Sequence, residues 1–177
     1  MSIFPSRILL AIHGSEETEL AIRKAVDLAD TTGSELHVVF VGQLPTFLMR
    51  VKDPDVVIID RLGVDRMLYD EIERESTEIL WKLTWQVKLS GGTVARAHLR
   101  MGCVAEQIVG LAKDLEADLI VMGTRGHGGL RRAIEGSISD FVVRSAHCPV
   151  MIVRTEKCEE QSGFWRRITS SGATNSG

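Results

Sequence analysis

The chain has 177 residues, a length that fits one domain, or one domain with a tail. Hydrophobic residues make up 44% and charged residues 25%, ordinary values for a globular protein and enough apolar material for a single packed core. The formal net charge of −3 supplies no global basic field, so no general attraction to nucleic acid or to an anionic membrane is expected, and any anion site must be local.

The N-terminal stretch MSIFPSRILLAIHG has a short apolar run but no basic leader and no small-residue cleavage site. It reads as a first core strand over 7–12 and not as a signal peptide. The longest apolar runs fall far short of a membrane span. Ser15 is placed to cap a helix, and Glu16 and Glu17 suit the positive end of its dipole. Leu20, Ala21, Ala25, Leu28 and Ala29 follow at helical spacing until Gly33 stops the helix. ELHVVFV, 35–41, is β-branched and apolar and predicts a strand covered on both faces. Residues 42–62 hold two prolines and read as a long connection, in which VVIID is a short strand, a packed loop or the approach to a helix.

From Val64 to Leu89 the spacing of Leu68, Ile72, Ile79 and Leu83 predicts a helix, broken by SGG at 90–92. TVARAHL, 93–99, alternates apolar and polar residues and predicts a strand near the sheet edge. CVAEQIVGLAKDL is the next helix, with Cys103 in its first turn as a small packing residue. DLIVMG, 118–123, is a short buried strand, SISDFVVRSAH a helix starting at Ser137, and CPVMIVR, 148–154, a final strand. Strands alternating with helices imply an α/β domain with a mostly parallel sheet and helices on both faces. Such sheets bind ligands beyond the carboxyl ends of their strands, which singles out the loops AIHGS, FVG and VMGTRG. After Arg154 the chain turns polar and rich in Gly, Ser and Thr, so 1–155 is expected as the domain and 156–177 as a disordered tail with one sticky patch, FWRRI.

The stretch GTRGHGGLRRAIEGSISD, 123–140, carries the most specific signal. Gly123 closes a strand, where the backbone can approach a ligand with no Cβ in the way. Gly126 follows, and after nine residues Gly136 and Ser137 open a helix. A helix N-terminus offers free N–H groups and partial positive charge to a phosphate, and the Ser137 and Ser139 hydroxyls can add hydrogen bonds. Arg125, Arg131 and Arg132 outnumber Glu135, so the loop is locally cationic.

This order resembles the ATP-binding branch of the universal stress protein family: a buried strand, Gly, two residues, Gly, nine residues, Gly-Ser at a helix start, then CPVMIVR. The resemblance runs from about Arg7 to Arg154 and takes in RILLAIHGSEE and ADLIVMGTRGHGGL. It implies a five-stranded sheet of order 3-2-1-4-5. It implies adenine and ribose near Ala11, His13, Val41, Met122 and Gly123. The phosphates would be held by Gly126, Gly136, Ser137, Ile138 and Ser139 with Arg125 close by. The implied ligand is ATP, or AMP or another adenine nucleotide, with Mg²⁺. The final strand, Val150 to Arg154, would pair with a second copy across a two-fold axis, which also covers an apolar edge.

One position departs from the family, which usually has an acidic residue where this chain has His13. A neutral imidazole accepts through one nitrogen and donates through the other, so the base preference is expected to shift while the phosphate end is retained.

Rival chemistries lack their residues. There is no Gly-x-Ser-x-Gly elbow for a serine hydrolase and no GKS or GKT for a P-loop NTPase. A receiver domain would need acidic residues where His13 and Gly14 stand, and a dinucleotide dehydrogenase would carry its glycines after strand one. The three cysteines, Cys103, Cys148 and Cys158, show no CxxC spacing, and His127 and His147 have no partners at metal-ligand spacing. Trp81 and Trp85, four apart on a helix, read as core or interface packing. The expected function is a cytoplasmic, homodimeric stress-response regulator acting through nucleotide occupancy, with no fast turnover, no nucleic acid and no membrane. The alternatives are a nucleotide-free interaction module, and slow ATP hydrolysis or self-phosphorylation on Ser137.

Overall fold

The computed structural model describes residues 5–12, 16–45, 64–123 and 138–154. The elements are β1 (Arg7–Ile12), α1 (Glu16–Thr32), β2 (Glu35–Gly42), α2 (Val64–Leu89), β3 (Val94–Met101), α3 (Val104–Asp114), β4 (Leu119–Gly123), α4 (Ile138–Ser145) and β5 (Val150–Val153). All strand pairs are parallel and the order is β3-β2-β1-β4-β5, as the family resemblance implies. A parallel sheet needs helical crossovers, and these cover both faces.

The period of two sorts each inner strand between two cores. Ile8, Leu10, Ile12, Leu36, Val38, Phe40 and Val121 face α1 and α2, where Ala21, Ile22, Ala25, Val26, Leu80, Leu83 and Val87 meet them. Leu9, Ala11, Val39, Val41, Ile120 and Met122 face α3 and α4, against Val104, Ile108, Leu111 and Val142. Each such aliphatic side chain contributes about 1.5–3 kcal/mol on full burial. β3 is the outer strand, as the alternating TVARAHL pattern predicts, and its consecutive residues Ala95, Arg96 and Ala97 are all exposed.

Helix ends follow local chemistry. α1 stops where Gly33 adopts φ +69°, and the Ser34 amide donates back to the Ala29 carbonyl at 3.0 Å. α2 ends in the same way at Gly91, φ +87°, with Gly92 donating to Val87. α3 uses the same motif with no glycine: Glu116 holds φ 49° while Ala117 donates to Ala112. The starts of β1 and β4 are joined by Asp118, whose Oδ2 accepts from the Ser6 and Arg7 amides at 2.8 and 3.0 Å.

Two sequence expectations change. Cys103 is not inside the first turn of α3 but at its N-cap, with φ −73° and ψ 114°, and its side chain is exposed and makes no capping hydrogen bond. Of the core or interface packing read for Trp81 and Trp85, the core half is excluded: they are 70% and 61% exposed, because Leu80, Leu83 and Val87 already occupy the inward stripe of α2. The Ser15 cap, the VVIID segment and the tail beyond Thr155 lie outside the described residues.

Candidate functional site

The chain passes from β1 outward to β2 and β3, then returns to place β4 on the other side of β1. Strand order therefore reverses between β1 and β4, and the carboxyl ends of these two strands diverge into a crevice. Ala11 and Met122 are direct register partners across that seam. Val41, near the end of β2, shares the same core face, and all three side chains are buried. Together they make an apolar floor that ends at Gly123, the last residue of β4.

α4 leads into β5, parallel to β4, so α4 runs against the strands and its N-terminus sits at their carboxyl ends. Its first residues, Ile138 and Ser139, are half-buried, and Ile138 packs on the same core as Ala11 and Met122. The first-turn amides of α4 carry partial positive charge. Asp140 in that turn is engaged by Arg144, whose Nε donates to Oδ1 at 3.1 Å. The structure thus brings together Ala11, Val41, Met122, Gly123, Ile138 and Ser139 at one end of the sheet. His13, Arg125, Gly126, Gly136 and Ser137 lie outside the described residues. Among the described residues, no group of three or more His, Cys, Asp or Glu side chains is arranged to hold a metal ion.

A second polar constellation, absent from the sequence reading, lies at the opposite margin of the sheet. His37 on β2 and His98 on β3 approach with Nδ1 and Nε2 3.1 Å apart and their rings stacked. His37 is buried, its Nε2 has no hydrogen-bond partner, and the Glu35 carboxylate stands 3.6 Å from that atom. Burial, then the charges of His37, Arg96 and Arg100, push the His98 imidazole down to about 4. The only advance signal was that both histidines sit on strands; their meeting depends on the β2–β3 register. Burial, with the Asp118 charge adding to it, pushes the Cys148 thiol up, which suits a structural residue and not a nucleophile.

The fold defines a doubly wound α/β protein with its topological switch point between β1 and β4. The universal stress protein family matches residues 5–154, and the chain belongs to that family. It is similar to Universal stress protein MJ0531 of Methanocaldococcus jannaschii, 30% identical over 155 residues that cover 86% of this chain and 84% of that protein. Among solved structures it is similar to universal stress protein UspA from Lactobacillus plantarum, with TM-score 0.66, 23% identity and coverage of 86% and 100%. A universal stress protein in complex with cAMP aligns with TM-score 0.55, 21% identity and coverage of 86% and 98%. The Archaeoglobus fulgidus universal stress protein in complex with dAMP aligns with TM-score 0.53, 22% identity and coverage of 86% and 99%. No helix among the described residues is long and apolar enough to cross a membrane.

Proposed function

We propose that this chain binds an adenine nucleotide, ATP with Mg²⁺, in the β1–β4 crevice and acts as a homodimeric stress-response regulator through nucleotide occupancy. The observation that carries this reading is the seam itself. Ala11, Val41 and Met122 make a buried apolar floor suited to a purine. Gly123 leaves the backbone open beside that floor, and the N-terminus of α4 stands at the same end of the sheet. Between them the sequence supplies Arg125, Gly126, Gly136 and Ser137. Backbone amides and an arginine would hold the phosphates, and Mg²⁺ would enter as the counter-ion of the nucleotide. Two structural relatives bind cAMP and dAMP, which supports an adenine nucleotide as the ligand class. Phe141, Val143 and Met151 expose apolar surface on α4 and on the edge strand β5, which supports pairing through Val150 to Arg154.

The test is the melting temperature of the purified full chain with and without saturating ATP and Mg²⁺, together with mass spectrometry of whatever leaves it on denaturation. ATP is expected to raise the melting temperature by mass action, and Gly126→Val or Gly136→Val to abolish the rise. No shift with any adenine nucleotide, and none released, would overturn the reading. Sedimentation equilibrium tests the dimer, with Met151→Asp expected to yield monomer.

A further inference from the structure

Between Glu78 and Glu106 the chain contains no acidic residue, yet it carries Lys82, Lys88, Arg96 and Arg100. In a chain of net charge −3 this is a local reversal, and it builds one margin of the molecule: the C-terminal half of α2 and the strand β3. Two further features coincide there. β3 is the last strand on that side, and among the described residues its outer edge pairs with nothing. Over its eight residues, Val94–Met101, the outward backbone amides and carbonyls form a template for one more strand. On α2, Trp81, Trp85 and Leu89 are 70%, 61% and 71% exposed, one turn apart along the helix.

The two faces of this edge differ in chemistry. Arg96, His98 and Arg100 pair in register with His37, Val39 and Val41, so they stand on the α3 side of the sheet. Arg96 is exposed and has no ion pair among the described residues, whereas Arg100 meets Asp114 at 3.2 Å. On the other side lies α2. Its Gln86, Leu89 and Ser90 line a groove of about 540 Å³ with Glu19, Ile22, Arg23 and Asp27 of α1. On the α2 side of β3 itself, Ala95 and Ala97 are exposed, while at 100° per residue Trp81 lies well away from the inward stripe of Leu80, Leu83 and Val87.

We infer that the outer edge of β3 is a docking site for an extended partner segment that alternates acidic and apolar residues. Added as a sixth strand, such a segment would turn one set of side chains to the Arg96 and His98 side and the other to the side of Ala95 and Ala97. Main-chain hydrogen bonds would supply affinity and the two dissimilar faces would supply register and choice of partner. Charge complementarity selects the acidic partner, because nothing acidic on β3 or the last three turns of α2 opposes it. The site is at the far edge from β5 and does not depend on nucleotide binding.

The test uses the labelled full chain and a peptide of about ten residues alternating glutamate with valine, beside one alternating lysine with valine. The glutamate peptide is expected to shift the amide signals of 94–101 and slow their hydrogen exchange, while the lysine peptide does neither. Arg96→Glu, and separately Ala97→Glu, should each weaken binding by about tenfold or more. These side chains are exposed, and an unchanged circular dichroism spectrum would verify the fold. Equal binding of both peptides, no binding at about millimolar concentration, or shifts confined to other strands would overturn the inference. So would β3 amides that exchange as slowly as those of β1 in the free chain. Sedimentation with phosphatidylserine vesicles, without response to the glutamate peptide, would assign the surface to membrane and likewise refute it.

Discussion

His98 gives the fold a pH dependence whose sign and size follow from its surroundings. In the unfolded chain its imidazole protonates near 6.5; in the fold, burial and the neighbouring His37, Arg96 and Arg100 bring that down to about 4. Above about 6.5 the ring is neutral in both states and the fold keeps its full stability. As pH falls toward 4, the unfolded chain takes up a proton that the folded chain refuses, so stability is lost through that window and the loss levels off below it. Fully expressed, the gap corresponds to about 3 kcal/mol. The ring is only half-buried, and solvent screening reduces this to about 1–1.5 kcal/mol. His98→Gln offers an amide that can donate to or accept from His37 Nδ1 but cannot charge. Between about pH 7.5 and 4.5 the wild type should therefore lose about 2–6 °C more in melting temperature than the variant. Carboxylates also titrate in this window, so the difference between the two proteins is the quantity to measure. Parallel pH profiles, or a His98 ring that titrates near 6.5 by NMR, would refute the reasoning.

The nucleotide-dependent melting shift and the strand-docking titration are two further expectations, and two more concern the backbone. A Cβ on Gly92 would lie 2.5 Å from Val26 Cγ2 and 3.1 Å from Val87 Cγ1, both on buried side chains. Gly92→Ala should thus cost about 1–3 kcal/mol in urea unfolding, whereas Gly110→Ala, which meets nothing within 4 Å on α3, should gain about 0.5–1 kcal/mol. Glu116 holds φ 49° at the end of α3, and Glu116→Gly should stabilise by about 0.5–1 kcal/mol by the same assay; a loss would mean that the side chain matters more than the left-handed backbone.

Much of the architecture was legible in the residues because its causes are local. ILLAI, 8–12, and VVFV, 38–41, are continuous apolar runs, as a strand covered on both faces requires, and both lie in central strands. TVARAHL alternates, and it is the edge. Gly33 and SGG mark helix ends because the left-handed turn favours residues without a Cβ. The loops to watch were legible too, since a parallel sheet sends every strand's carboxyl end the same way. Adjacency was not. Ala11 meets Met122, and His37 meets His98 across 61 residues, only because of strand order and register, which no local pattern encodes. Nor did the spacing of Trp81 and Trp85 distinguish an inward stripe from an outward one. That depended on which flank of α2 the sheet received, and Leu80, Leu83 and Val87 took it. Sequence by itself determined the elements, their order and the end of the sheet that could hold a ligand, because hydrophobic period and turn chemistry act within a few residues. Tertiary structure alone decided which side chains face one another across strands and which aromatic surface stays exposed, because both arise from packing between segments far apart in the chain.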